Sequence, residues 1–247
     1  MHLTALPRTA ARLLGRLRRD RSGLALMEFA FSLPIILGLG MYSVETANLA
    51  LVNMRVSQIA LNLADNAARV GAASTLSTQQ LREIDVNDVL QAARFQGQSI
   101  NLTTQGRITL SSLENVQRTY PDGTSDSAAV QRIHWQRCLG LKSGANYDST
   151  YGPNPTIAAG TDASAANKGV DRVAGMGDPV VNAPPGSALM FVEINYEYKP
   201  IVAGWLLTGN QRVHYVASFI VRDNRDFSRL FNPSPTATAA TCNLYGA

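Results

Sequence analysis

A polar, basic stretch opens the chain and is followed by an apolar run from Leu24 to Val44. This run is 21 residues long, and Glu28 is its only charged residue. About 20 apolar residues in a helix span the hydrocarbon core of a bilayer. An acid inside such a run is costly to bury in lipid, which makes it a functional candidate. The pattern therefore predicts a membrane-spanning helix in which Glu28 has a specific role.

Pro34 lies in the middle of the apolar run. A proline inside a helix removes one backbone hydrogen bond and favours a bend. Membrane helices tolerate this because neighbouring groups satisfy the freed carbonyl. We therefore expect a helix kink at Pro34. Both ordinary membrane-helix composition and a helix that bends on assembly explain the residue.

The helical pattern continues beyond the apolar run. Polar residues separate apolar positions that recur every three or four residues, at Leu49, Val52, Val56, Ile59, Leu63, Ala67 and Val70. This periodicity is typical of a helix with one buried face, and Gly71 fits its C-terminal end. The sequence predicts either one continuous helix over Leu24–Val70 or two helices with a break near Glu45 and Thr46.

The remaining pattern predicts a small α+β head. Val86–Phe95 has a helical apolar face, with Asp85 placed to cap it. The period then changes to two, and four strands are expected within Arg107–Ser112, Ala128–Cys138, Leu189–Lys199 and Val213–Val221. Alternation predicts an antiparallel sheet with one water-exposed face. We expect the long helix to cover the other face, and a β-meander is the simplest strand order.

Composition divides the chain into three parts. Residues 1–23 form a basic leader, residues 24–70 the long helix, and residues 71–247 the head. Within the head, residues 141–187 are rich in glycine and proline and poor in large apolar side chains. Such a segment is expected to form a long loop without regular structure of its own.

The basic character of the chain is confined to the leader. Six arginines and one aspartate give residues 1–23 a formal charge of +5, whereas the whole chain carries +4, so the rest carries −1. The excess of arginine therefore predicts a cytoplasmic leader, with everything after the helix on the other side of the membrane. It does not indicate nucleic-acid binding.

The junction between the two segments carries a specific motif. Gly23 ends the basic leader, Glu28 follows five positions later, and the aromatic Phe29 follows directly. This arrangement resembles the class III signal of the type IV pilin superfamily, and with the long helix it most resembles TadE-like pseudopilins of the tight-adherence (Flp, or type IVc) pilus system. The resemblance implies cleavage by a prepilin peptidase between Gly23 and Leu24, and pairing of Glu28 with the freed amino terminus of a neighbouring subunit.

The resemblance also implies partners and a location. A TadE-like minor pilin is expected to be a single-pass inner-membrane protein with a periplasmic head, which either stays in the membrane or is incorporated into the pilus. Its partners would be the prepilin peptidase, the major Flp-type pilin, other minor pilins, the assembly platform and the lipid bilayer. The alternatives are an unprocessed, membrane-anchored periplasmic scaffold or envelope-binding protein, and a secreted protein whose apolar run is a cleaved signal peptide.

Two cysteines, Cys138 and Cys242, are present. Cys138 ends a predicted strand, and Cys242 lies in a C-terminal tail that has little else to hold it. In an oxidising periplasm a disulfide between them is expected, and two free thiols are the alternative.

No catalytic motif is recognisable, so a non-enzymatic protein without a cofactor is expected. His134 and His214 lie in predicted strands; a shared site is one interpretation, and ordinary strand histidines are the other. Asp122–Asp126 has some features of a calcium loop, but Ile133 occupies the position of the closing glutamate. We therefore interpret this segment as a polar turn and expect no metal site.

Overall fold

The computed structural model describes residues 15–16, 22–73, 78–152, 157–202 and 211–246. Its first element, α1, is a continuous helix over Ser22–Arg69. At about 1.5 Å per residue, these 48 residues give a rod roughly 70 Å long. The prediction of one helix is thus confirmed, and the alternative with a break near Glu45 is wrong. Most of the basic leader lies outside the described residues.

Short elements follow α1 before the main sheet. The two-residue strands β1 (Ala72–Ala73) and β2 (Gln79–Gln80) pair antiparallel and precede α2 (Glu83–Gln96), a 3₁₀ turn (Gln98–Ile100) and α3 (Leu102–Gln105). The main sheet is formed by β3 (Gly106–Val116), β4 (Val130–Leu139), β5 (Val170–Asp171), β6 (Ser187–Tyr198) and β7 (Gln211–Ile220). One further 3₁₀ turn, Ala165–Asn167, precedes β5.

The main sheet is antiparallel throughout, and its order is β5-β4-β3-β6-β7. The fold class is therefore α+β, as expected, with four long strands and a two-residue edge strand. The simplest strand order, a meander, is not the one observed, because β6 pairs with β3 rather than with β4. The long segment after β4 has the reach to cross the sheet, so β6 enters on the free side of β3.

The main core lies between α1 and the sheet. α1 packs against β6 and β7, and α2 packs against α1. The side chains predicted for the buried face of α1 include Val52, Val56, Ile59, Leu63 and Ala67, all of which are buried. Those predicted for α2, namely Val86, Val89, Leu90 and Ala93, are buried in the same cluster. Burial of a large aliphatic side chain contributes about 1.5–3 kcal/mol, so this face dominates the stability of the head.

The expected cap at Asp85 is placed differently. α2 begins at Glu83 with Arg82 as its N-cap residue, so Asp85 lies in the first turn. Its Oδ2 accepts hydrogen bonds from the backbone N–H and Nε of Arg82, both at 3.0 Å. Asp85 therefore still stabilises the start of the helix, from the third helical position rather than from the cap.

The second face of the sheet is buried over its central strands, which corrects the expectation drawn from the alternation in β6, whereas on the edge strand β7 Arg212, His214 and Ile220 of this face stay exposed. Glu193 and Asn195, its polar residues in β6, are each 1% exposed. The segment after β4 folds over this face, where Asn195 Nδ2 donates to the carbonyl of Tyr147 at 3.0 Å. A smaller apolar cluster also forms there from Leu113, Ile133, Met176, Ala183, Leu189 and Phe191. The segment is largely irregular, as predicted, but it contains the 3₁₀ turn Ala165–Asn167 and the edge strand β5, and it covers this face of the sheet.

Candidate functional site

The first half of α1 is the part of the molecule that the head does not cover. Residues 23–44 show large apolar side chains on every side of the helix, and their exposed fractions include 70% for Leu26, 59% for Phe29, 70% for Phe31 and 65% for Ile35. No part of the most apolar 18-residue window is buried. Such a helix is stable only in lipid or against other chains. It is long and apolar enough to cross a membrane once.

The polar side chains of this segment bond within the helix. Ser43 Oγ donates to the carbonyl of Leu39, and Thr46 Oγ1 donates to that of Tyr42, both at 2.8 Å. Back-bonding of this kind satisfies hydroxyl groups where no water is present. The helix continues through Pro34, and the kink at this residue stays a prediction.

The residues at the predicted cleavage site are freely exposed. Gly23 lies within the first turn of α1, and a Cβ added there would meet no atom of the described residues within 4 Å. Packing against the described part of the chain therefore does not require glycine at this position. Leu24 is 58% exposed.

Glu28 is exposed on the same helix. Across the described ranges, it forms no hydrogen bond or ion pair. Gly23, Leu24, Glu28 and Phe29 thus all lie in the N-terminal part of α1, which makes no contact with the described part of the head. The structure supplies no intramolecular partner for the acid among the residues it describes.

A second acid, Glu45, joins the exposed half of α1 to the head. Its side chain is fully buried, and its Oε1 accepts a hydrogen bond from the Tyr198 hydroxyl. Its Oε2 accepts hydrogen bonds from the backbone N–H groups of Ile201 and Val202, at 3.0 and 2.9 Å. Asn48 Nδ2 donates to the Tyr198 hydroxyl at 2.6 Å. We call these residues (Glu45, Asn48, Tyr198, Ile201 and Val202) the neck.

Sequence reasoning missed the role of the neck and considered Glu45 only as a possible helix break. The acid stands directly after Val44, at the end of the apolar run. Its buried charge is held by a phenol at the end of β6 and by two backbone amides just after that strand, about 150 residues later in the chain. Its position is visible in the sequence, but its partners are not.

Replacing Glu45 by alanine is expected to loosen the neck. A hydrogen bond to a charged group contributes about 1.5–3 kcal/mol, and the substitution leaves two backbone amides without their acceptor. Hydrogen exchange of the full chain in detergent should therefore accelerate at least tenfold at Ile201 and Val202. Thr46→Ala, one position further, is the control and should leave their exchange unchanged; equal rates in all three proteins would contradict the role of Glu45.

The two strand histidines do not share a site. His134 belongs to β4 and His214 to β7, and the two strands are separated by β3 and β6. The His134 Nδ1 atom lies 2.8 Å from Glu114 Oε1. Burial lowers the pKa of His134 despite the opposing effect of Glu114. His214 Nδ1 lies 2.7 Å from Asn195 Oδ1. Each histidine is thus held by neighbours on its own strand pair.

The Asp122–Asp126 segment is a polar turn. Asp122 Oδ1 accepts hydrogen bonds from the backbone N–H and the hydroxyl of Thr124, at 2.9 and 2.6 Å. Asp126 Oδ1 pairs with the Arg132 guanidinium at 3.0 Å. Protein donors therefore occupy both carboxylates. Within the described ranges, no three histidine, cysteine or acidic side chains form a group able to hold a metal ion.

Cys138 and Cys242 form a disulfide, which confirms the expected pairing. It fixes the C-terminal tail beside the ends of β3 and β4. Around it, the Cys138 N–H donates to the carbonyl of Ala240 at 2.7 Å. Arg107 donates to the carbonyls of Cys242 and Leu244, at 2.6 and 2.8 Å. The tail is therefore an integral part of the head.

Comparisons with known proteins identify no relative of this chain. No protein-family model matches it, and neither a curated protein nor a solved structure matches it. Fold and site together define its class as an α+β head carried on a helix able to cross a membrane. A narrower function has to be argued from the exposed helical end.

Proposed function

We propose that this chain is a TadE-like minor pilin that takes part in assembling a tight-adherence (Flp, type IVc) pilus. The observation that carries the proposal is the bare apolar end of α1, where Glu28 has no partner among the described residues. An acid in lipid is costly, and an amino terminus of another subunit offsets that cost by pairing with it. Glu28 therefore destabilises the isolated subunit in the membrane, and its pairing stabilises the assembled state.

Two further observations support this role. Gly23 has no packing role against the described residues, which fits a glycine kept for recognition by a peptidase. A residue without a Cβ leaves the backbone accessible at the cut. The second half of α1 lies on an antiparallel sheet, which is the architecture that the resemblance to pilins implies.

In this role the protein is structural rather than enzymatic. The leader lies in the cytoplasm, α1 crosses the inner membrane, and the head lies in the periplasm, where the disulfide is stable. The partners are a prepilin peptidase, the major and minor pilins, the assembly platform and the bilayer.

An unprocessed periplasmic scaffold is the second candidate. It is favoured by the length of the exposed apolar segment, which suffices for a permanent anchor without any cleavage. The two functions share topology and head. They differ in the fate of residues 1–23 and in the partner of Glu28.

The amino terminus of the protein purified from its native membranes tests the proposal. A start at Leu24, which intact-mass analysis and terminal sequencing both report, supports prepilin processing. A start at Met1 favours the permanent anchor. A start beyond Val44 identifies a secreted protein and contradicts both.

Substitution of Gly23 by valine is expected to abolish cleavage. The β-branched side chain obstructs the backbone that the peptidase must reach, while the fold has open space for it. The precursor should accumulate to more than 90% of the protein, as measured by gel mobility and intact mass. Gly38→Val, in the same helix and equally free of contacts, is the control and should be cleaved normally.

Substitution of Glu28 by alanine is expected to leave membrane insertion intact and to reduce piliation at least tenfold. Removing the acid makes the apolar run cheaper to insert and eliminates the partner for a neighbouring amine. Counts of pili by electron microscopy, together with membrane fractionation, measure the two effects separately. Ser32→Ala on the same helix should assemble normally. Normal piliation of the Glu28 variant would contradict the pairing role.

A further inference from the structure

The rest of the chain covers one edge of the main sheet but not the other. At the first edge, β5 pairs with Arg132 and Ile133 of β4, and the Cys138 N–H donates to the carbonyl of Ala240 in the tail at 2.7 Å. At the second edge, β7 is the last strand of the sheet. Within the described ranges, the backbone of Gln211–Ile220 makes hydrogen bonds only to β6. Among these residues, β7 therefore presents an open edge.

The backbone groups that face outward from β7 follow from its register with β6. The Val221 N–H donates to the carbonyl of Ala188 at 2.9 Å, which makes these two residues a hydrogen-bonded pair. Such pairs alternate along an antiparallel ladder, and the register of β6 and β7 has no shift. The residues whose N–H and C=O groups point away from β6 are therefore Arg212, His214, Val216, Ser218 and Ile220. They offer donors and acceptors along an edge roughly 30 Å long.

β7 lacks the usual protections of an open edge. Natural proteins protect such edges with a proline, a β-bulge, a very short strand or several charged side chains. β7 is 10 residues long, contains no proline and pairs with β6 without a bulge. Arg212, near its start, is its one charged residue when histidine is neutral. The open edge is therefore suited to pairing with a strand of another chain.

The direction of β7 limits which strands can reach it. Gln211 pairs with Tyr198 of the neck, at the start of β7. Arg225, shortly after β7, donates to the carbonyl of Ala67 near the end of α1 at 3.2 Å. β7 therefore runs beside α1 and away from its exposed apolar half. Antiparallel pairing of β7 with the β7 of a second copy would point the two apolar halves in opposite directions, which one membrane does not allow.

The other edge of a second copy is also excluded. Because neighbouring strands of the sheet alternate in direction, β4 of one copy runs antiparallel to β7 of a copy that stands beside it. The edge of β4 is already covered by β5 and by the tail. The strand that fits the open edge therefore belongs to a different protein.

We propose that the β7 edge binds an extended segment of a different protein, which adds as a sixth, antiparallel strand and runs toward the membrane. Main-chain hydrogen bonds supply the affinity of such an added strand, and its side chains supply the specificity. Antiparallel addition is the more stable of the two directions. The proposal depends on α1 crossing a membrane but not on cleavage at Gly23 or on the pairing of Glu28, so it holds for both candidate functions.

The side chains of the edge define the chemistry of the segment. Ile220 is 47% exposed and Val216 is half-buried, so apolar residues are favoured opposite them. Arg212 is exposed, and β7 contains no acid. Arg212 Nη1 donates to the carbonyl of Asn146 at 2.9 Å, and the guanidinium has further N–H groups to offer. The segment therefore alternates apolar residues and carries an acid near its membrane-proximal end, opposite Arg212.

A peptide with the sequence of β6, Ser187–Tyr198, is the probe for this edge. β6 already pairs antiparallel with β7, and in the same register the peptide would place its Glu197 opposite Arg212. We expect saturable binding of one fluorescently labelled peptide per full-length chain in detergent, measured by anisotropy. The same peptide N-methylated at alternate residues from Leu189 to Glu197 lacks the N–H groups that face β7 and should bind at least tenfold more weakly.

Ser218→Pro tests the edge from the side of the protein. The substitution removes one outward N–H, whereas the hydrogen bonds to β6 remain, and an edge strand accepts proline at such a position. Binding of the unmethylated peptide should weaken at least tenfold. Ser218→Ala, which loses the same hydroxyl but keeps the N–H, is the matched control and should bind like the wild type. Near-UV circular dichroism verifies that both variants are folded.

Three outcomes would overturn the proposal. The first is equal binding of the methylated and unmethylated peptides to the wild-type protein, a comparison that does not depend on the folding of any variant. The second is equal binding of the peptide by the folded proline and alanine variants. The third is a dimer of the wild-type chain in detergent that Ser218→Pro dissociates, because the edge would then belong to a second copy.

Discussion

Replacing Glu83 by alanine is expected to lower the free energy of unfolding of the head by about 3–5 kcal/mol, because the substitution leaves a buried arginine without its counter-charge. Glu83, in the first turn of α2, pairs through both carboxylate oxygens with Arg137 of β4, and the side chains are only 2% and 1% exposed. Arg137 also donates to the carbonyl of Gln136 at 2.9 Å. The pair therefore fastens α2 to the sheet.

Chemical denaturation of the full chain in mild detergent, followed by near-UV circular dichroism, measures this effect. Asp65→Ala is the matched control, because it removes an acid that pairs with Arg69 at 2.8 Å on the exposed side of α1. A surface pair of this kind contributes about 0.5 kcal/mol or less. A loss for Glu83→Ala no larger than that of Asp65→Ala would contradict the role of the buried pair.

Removal of the disulfide has a comparable expected effect. In the chain-entropy model, a bridge between residues 104 positions apart stabilises by about 4–5 kcal/mol, because it restricts the unfolded chain. The variant Cys138→Ser/Cys242→Ser should lose about that amount. It should also expose the tail to proteolysis, since hydrogen bonds such as those from Arg107 and from the Cys138 N–H to the tail carbonyls then have to hold it without a covalent link.

Two comparisons make this result interpretable. The wild-type protein treated with a thiol reductant should reproduce the instability of the double variant, and reductant should not affect the variant itself. Alkylation under non-reducing conditions should label no cysteine of the wild-type protein. Two labelled thiols, or a variant as stable as the wild type, would contradict a structural disulfide.

Periodic patterns predicted most of the fold. The three-to-four spacing of apolar residues from Leu49 to Val70 gave the long helix and its buried face, because a helix on a sheet must bury one stripe. Period-two alternation similarly located the four long strands to within a few residues. The exposed Gly23–Glu28 segment was also visible, because a charge in an apolar run has no structural explanation of its own.

Long-range pairing could not be read from the sequence. The polar face of β6 looked exposed because alternation reports side-chain polarity and not what covers it. The loop that covers Asn195 contacts it through the backbone carbonyl of Tyr147, and a backbone group leaves no pattern in the sequence. The same holds for Glu45, whose partners are two amides and a distant tyrosine. The order of the strands depends on which edge of β3 accepts β6, and hairpin lengths alone do not decide this.

Because α1 continues without a break through the neck, it fixes the rotation of the head about the helix axis. A straight helix turns about 100° per residue, so the direction of each side chain in the exposed half of α1 is fixed relative to the head. Inserting one residue between Val44 and Leu49 would swing the head about a quarter of a circle and raise it by about 1.5 Å. The number of residues between Glu28 and the neck therefore sets the angle between Glu28 and the sheet, and the hydrogen bonds of the neck hold that angle.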